Sequence, residues 1–151
     1  MKNFRFKRLL LNDLDACAPL YISVFNSEPW NDAWTLLTAA QRLRECLLTP
    51  NALGLGVYEQ DNLCAFALGY HEQWFTGKHF YLKEMCVATK FQRSGIGSLL
   101  MNELKDVLQQ QQTERIYLLT SRGSSAEAFY SSLGFYRSDK VGLYALRLNA
   151  T

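Results

Sequence analysis

Three prolines and nine glycines spread over 151 residues leave no Pro/Gly-rich stretch that could serve as a linker. Histidine is scarce as well. His71 and His79 are the two, and His71-Glu72 does not open an H-E-x-x-H pair, so no metal is expected. The four cysteines, Cys17, Cys46, Cys64 and Cys86, are widely and irregularly spaced. That excludes paired zinc-type spacing, and their apolar neighbours point to buried free thiols in a reducing cytosol rather than a disulfide framework. A formal charge of +2 is too small to argue for nucleic acid or an anionic membrane. Long hydrophobic runs are missing: behind a basic start, Leu9-Leu10-Leu11 gives way at once to Asn12-Asp13. This is too short for a secretion signal or a membrane span, and a cytoplasmic protein is expected.

What is present is ordinary for a folded protein. An apolar fraction of 48% and a charged fraction of 20% suit one domain over residues 1–151 with a real hydrophobic core. Residues 4–10 read as a strand, and Asn12-Asp13 as the cap of a helix carrying Leu14, Ala18, Tyr21, Ile22 and Phe25. Asn26-Ser27-Glu28-Pro29 breaks that helix, and a second spans 35–48, stopping before Pro50. Strands over 53–59 and 63–74 share a turn at Gln60-Asp61-Asn62. A strand over 79–87, a helix from Ser98 to about Gln112, a strand over 115–120 and a helix over 124–133 follow, the last stopped by Gly134. Residues 135–137 and 141–148 are expected to close the sheet as a final pair. The order implies a mixed α/β domain with a parallel crossover between the fourth and fifth strands.

The most informative stretch is Gln92-Arg93-Ser94-Gly95-Ile96-Gly97, a glycine-bearing turn from strand to helix. Such a turn gathers unpaired backbone N–H groups at the positive end of a helix dipole, where a phosphate or pyrophosphate can sit. It is not a P-loop: Thr76-Gly77-Lys78 lacks the first glycine, and His79 follows it. A dinucleotide fingerprint is weak too, because the third glycine is missing and three antiparallel-looking strands precede the turn.

The stretch from Gln92 to Gly97 matches Q/R-x-x-G-x-G/A, and Ala126-Glu127-Ala128-Phe129-Tyr130-Ser131-Ser132-Leu133-Gly134-Phe135 matches A-x-x-F-Y-x-x-x-G-F. With these two motifs on those elements, the chain resembles the GNAT acyltransferase superfamily over nearly its whole length. The resemblance implies a mostly antiparallel mixed sheet of about seven strands, flanked by four helices, with splayed fourth and fifth strands. It implies acetyl-coenzyme A as cofactor. The backbone of Arg93, Ser94, Gly95, Ile96, Gly97 and Ser98 would hold its pyrophosphate, with Gln92 in the same motif. Met85, Cys86 and Val87 would pair with the pantetheine arm, and Phe129 and Tyr130 would lie beside it. Relatives often have an asparagine near the start of the last helix. This chain has Ser121-Arg122-Gly123-Ser124-Ser125 there, so Ser124 or Ser125 replaces that contact or simply caps the helix.

The resemblance further implies an N-acetyltransferase that moves the acetyl group to a primary amine by direct attack in a ternary complex. Glu84 is the candidate base, with pairing to a cation as its structural alternative. Tyr130 is the candidate acid toward the departing thiolate. The acceptor side would draw on Phe25, Glu28, Trp30, Asp32, Trp34 and Trp74, an aromatic and acidic set suited to a cationic amine. Hydrophobic packing of the loop between the first two helices is the alternative for the tryptophans. A polyamine, amino acid or aminosugar is the expected acceptor. The runners-up are a protein N-terminus or lysine as acceptor, or a non-catalytic acyl-CoA sensor. Relatives often form homodimers, but no interface is located by the sequence.

Overall fold

A computed structural model of the chain describes residues 3–149. The chain forms two compact units, one reaching Leu119 and the other beginning at Thr120.

The first unit is one five-stranded sheet in the order β1-β2-β3-β4-β5. Its strands are β1 (Phe4–Arg8), β2 (Ala52–Glu59), β3 (Asn62–Gln73), β4 (Lys78–Val87) and β5 (Thr113–Tyr117). The first four are antiparallel, and β5 runs parallel to β4 after a helical crossover. That crossover is α3 (Ile96–Gln110), which contacts β2, β3, β4 and β5. Its buried stripe of Ile96, Leu100, Met101, Leu104 and Leu108 follows the helical period read from the sequence.

The other face of the sheet is covered by α1 (Leu14–Phe25) and α2 (Leu36–Leu48). Leu14, Cys17, Ala18, Tyr21 and Val24 of α1 and Ala39, Leu43 and Cys46 of α2 meet Phe66, Leu68 and Cys86 from the sheet in one apolar cluster. Thr35 caps α2 by accepting from the Thr38 N–H at 3.1 Å. The expected cap at Asn12-Asp13 is built differently. Asp13 accepts from Lys7 at 2.6 Å and from the Leu10 N–H at 2.7 Å, so it fixes the turn before α1 rather than α1 itself. All four cysteines are buried.

The second unit holds α4 (Ser125–Ser132). Here the expectation of about seven strands is corrected: among the described residues, 135–137 and 141–148 form no strand. Their backbones join no ladder. Instead, the N–H groups of Lys140 and Val141 donate to the Ser138 hydroxyl at 3.2 and 3.1 Å, which makes a turn. Val141, Leu143, Leu146 and Leu148 carry apolar chains on a sequence that reads as a strand, yet they remain exposed. No helix among the described residues is long and apolar enough to cross a membrane.

Candidate active site

The parallel pairing of β4 with β5 ends at Tyr81 and Tyr117, although β4 runs on to Val87. Beyond that rung, one edge of β4 has no strand beside it among the described residues. Met85, Cys86 and Val87 lie on this open length. Backbone N–H and C=O groups at such an edge need partners, and an extended amide-bearing ligand can supply them as an added strand.

Where β4 ends, a short 3-10 turn, Thr89–Phe91, leads into the glycine turn. Phe91 anchors it: the ring is buried and meets Phe4 edge-on at 6.2 Å. Gln92 turns its side-chain amide back to the Val87 carbonyl at 3.0 Å, so it ties the loop to β4 rather than reaching outward. The Ser94 hydroxyl donates to the Phe91 carbonyl and is likewise used within the loop. Arg93 (φ 61°) and Gly95 (φ 89°) both take left-handed conformations. These bend the chain so that α3 starts at Ile96 with no side-chain cap. The N–H groups of Ile96, Gly97 and Ser98 are therefore the donors that a helix start leaves without internal partners. A Cβ at Gly95 would meet nothing within 4 Å, so the space above the turn is open. Open space, a dipole end and free donors fit a pyrophosphate. Ile96 can contribute only through its backbone, because its side chain is core.

Glu84 owes its position to a bulge. Opposite Leu68 and Gly69, the register of β4 slips by one, pairing Gly69 with Leu82 and Leu68 with Glu84. A Cβ at Gly69 would lie 2.2 Å from the Tyr81 carbonyl oxygen, so only glycine permits this approach. The extra residue puts Glu84 on the face of α1 and α2. There its carboxylate is buried and accepts from Arg42 Nε at 2.7 Å. The Tyr21 phenol lies near the same carboxylate. Burial and that carboxylate push the Tyr21 phenol well above its usual range, so it stays neutral. Glu84 therefore has the cation partner that its alternative reading anticipated, supplied by α2.

The loop between α1 and α2 is a packed corner. Trp34 meets Tyr21 edge-on at 5.2 Å, and Trp30 meets Phe25 at 5.0 Å. The Trp34 indole N–H donates to Asp32 at 3.0 Å, and the Asn26 side chain both donates to and accepts from the Trp34 backbone at 2.9 Å. The two tryptophans, Phe25 and Asp32 thus hold one another, while Glu28 stays exposed. Trp74 lies elsewhere, at the end of the β3–β4 hairpin, stacked on His79 at 5.1 Å.

In the second unit, Ser124 caps α4. Its hydroxyl accepts from the Glu127 N–H at 3.1 Å and donates to the Ser121 carbonyl at 2.6 Å. Of its two readings the cap is realised. Tyr130 sits between Phe129 and Phe135, with ring centroids at 5.2 and 5.5 Å.

Sequence reasoning missed Arg42, which holds Glu84, and a group on the same sheet face formed by Tyr70, Glu72, Tyr81 and Tyr117. The period-two spacing of Tyr70, Glu72 and Trp74 was a signal that they share a face. Their partners on β4 and β5 depend on register, which spacing alone does not supply.

Comparison with known proteins agrees with this geometry. The profile of the Acetyltransferase (GNAT) family matches residues 10–135. No curated protein matches the sequence. Among solved structures, a possible acetyltransferase from Clostridium difficile is similar at TM-score 0.81 and 18% identity, covering 97% of this chain and 98% of the other. An aminoglycoside acetyltransferase from an uncultured soil metagenomic sample gives TM-score 0.75 at 18% identity, with 97% of each chain covered. A ribosomal-protein-alanine N-acetyltransferase from Brucella melitensis gives 0.73 at 20% identity, covering 97% of this chain and all of the other. The identities are low enough that these three speak for the fold alone, while the profile spans most of the chain. An open β4 edge leading into an uncapped glycine turn is thus found in a chain that belongs to the GNAT family of acetyltransferases.

Proposed function

We propose that this protein transfers the acetyl group of acetyl-coenzyme A to a primary amine on a small molecule. The observation that carries this reading is the end of the β4–β5 ladder at Tyr81 and Tyr117, which leaves β4 open to Val87 ahead of a helix start with free N–H donors. The N–H groups of Ile96, Gly97 and Ser98 hold the pyrophosphate, with Arg93, exposed beside them, adding a charge. The open edge around Met85, Cys86 and Val87 takes the pantetheine amides. When bound, the coenzyme supplies an activated acetyl thioester.

The residues then divide three tasks. A backbone N–H near Cys86 or Val87 stabilises the negative charge that grows on the carbonyl oxygen. Glu84 takes the proton of the attacking amine through water, with Arg42 fixing its carboxylate. As the C–N bond forms and the C–S bond breaks, Tyr130 gives its phenolic proton to the departing thiolate and is reprotonated from solvent. Tyr130 receives this role from the family motif.

The 2.7 Å contact with Arg42 favours a second reading of Glu84, as an ion-pair partner that only shapes the cleft. Release of free thiol from acetyl-coenzyme A across a panel of amines tests the activity, and binding without turnover on the whole panel would mark a sensor. On an active amine, Glu84→Gln should displace the alkaline rise of the pH–rate profile. An unaltered profile leaves Glu84 to the ion pair alone.

A further inference from the structure

The face of the sheet that carries Glu84 continues toward the β3–β4 hairpin as a wall of rings around one carboxylate. Tyr117 donates from its hydroxyl to Glu72 Oε1 at 2.5 Å. Tyr81 stacks on Tyr117 at 4.7 Å with the planes 9° apart, and Tyr70 meets Tyr81 edge-on at 5.7 Å. All four residues are half-buried, neither sealed in the core nor fully solvated. Their place follows from register: Tyr70 opposes Tyr81, and Tyr81 opposes Tyr117, the last rung before the sheet opens.

The charges nearby are unevenly used. Arg42 is engaged with Glu84, and His79 stands 4.0 Å from Glu114. The neighbour paired with Glu72 is a neutral phenol, kept protonated by burial and by that carboxylate, which both push Tyr117 upward. One phenolic hydrogen bond to Oε1 leaves acceptor capacity on the Glu72 carboxylate. The wall already attracts an ammonium of the protein's own: Lys83 Nζ lies over the Tyr81 ring, 5.8 Å from its centroid.

We infer that Glu72, framed by Tyr70, Tyr81 and Tyr117, is a subsite for a second amine of the acceptor, one that stays protonated while the first attacks, which makes the acceptor a diamine. This rests on the acetyl-transfer reading above. The amine that attacks must be neutral, so a carboxylate beside aromatic faces is wasted on it and suits a charge that remains. Glu72 lies four residues along β3 from Leu68, the partner of Glu84, about 13 Å of strand. A long polyamine, or an oligosaccharide with amines on separate rings, spans that distance once the side chains and the water at Glu84 take up part of it.

The test compares a long alkyl diamine with the monoamine of equal length. Wild type should show kcat/KM for the diamine about tenfold above that for the monoamine, the effect of one charge-assisted hydrogen bond. Glu72→Gln should collapse that ratio toward one. Tyr117→Phe, which removes the hydrogen bond and keeps the charge, should preserve the preference. A wild type that prefers the monoamine, or a ratio unchanged in Glu72→Gln, overturns the subsite. If no amine releases thiol, the acetyl-transfer reading fails. Calorimetric titration of the coenzyme A complex with the diamine then still decides the subsite. Binding weakened about tenfold in Glu72→Gln supports it, and equal or absent binding overturns it.

Discussion

Arg42 on α2 donates from Nε to Glu84 on β4 across 2.7 Å, joining two residues 42 positions apart in the chain. The guanidinium is partly open to solvent, with 41% of its side chain exposed, and the carboxylate is buried, with 7%. Removing Arg42 leaves a buried charge without its partner. Arg42→Ala should therefore cost about 2 kcal/mol, less than a fully buried pair because water screens the arginine end. The double variant Arg42→Ala, Glu84→Gln should recover part of that loss. Urea unfolding of the three variants measures both, and additive losses would show that the pair is not coupled.

Gly69 lets the bulge form. In Gly69→Ala the new methyl would press on the Tyr81 carbonyl and the Phe80 ring, both under 3.0 Å away. Backbone cannot yield as a side-chain end can. Loss of at least about 2 kcal/mol is expected, together with a fall in turnover larger than that of a merely destabilised variant, because Glu84 loses its direction. Urea midpoints and kcat, compared with a core variant of equal stability, separate the two effects.

At Gly95 the expected balance is opposite. Alanine there pays a left-handed penalty of about 1 kcal/mol, and nothing protein-borne is struck by its Cβ. On the proposed reading, what the methyl meets is the coenzyme. Gly95→Ala should weaken coenzyme A binding by about tenfold or more with only a small change in melting temperature. Titration calorimetry reads the first and thermal unfolding the second.

Tyr130→Phe removes one phenolic oxygen and leaves the ring between Phe129 and Phe135. Turnover should drop by about a hundredfold, with coenzyme A affinity nearly unchanged. Unchanged turnover removes Tyr130 from the proton path.

His71 gives a pH dependence that is separate from catalysis. Burial lowers its pKa, and the nearby Lys78 and Arg8 charges add to this against an opposing hydrogen bond with the Asn51 carbonyl. A folded pKa below the unfolded one means that the unfolded chain binds the proton first. The stabilising contribution is present above about pH 6.5 and is lost as pH falls through the lowered value. Melting temperature should therefore fall between pH 7.5 and pH 5, by less in His71→Gln. An equal fall in both proteins would clear His71.

Local signals carried most of the fold. The helical stripe of α3, the turn at Gln60-Asp61-Asn62 and the glycine turn each announce themselves within a few residues, and each was found where expected. Residues 141–148 show the limit: apolar content suggests a strand, but a strand needs a partner, and none is joined there among the described residues. The site divides the same way. Gly95 and Tyr130 stand in contiguous motifs. Arg42 lies on a different element from the residue it serves, and the Glu72–Tyr117 bond spans 45 residues, so neither was visible from spacing. The tryptophan corner was visible but ambiguous, because packing and ligand binding favour the same residue types.

The state of the cysteines has a practical consequence at the bench. Burial pushes the Cys17 thiol up to about 12 and the Cys46 thiol up to about 11, and Cys86 is raised as well. All four cysteines are enclosed. A disulfide reagent added to the folded enzyme should find almost no thiolate on the protein, so the colour it develops counts coenzyme released. The same reagent in urea should count four sulfhydryls per chain. One chromophore thus reports acetyl transfer in buffer and unfolding in denaturant, with no label on the protein.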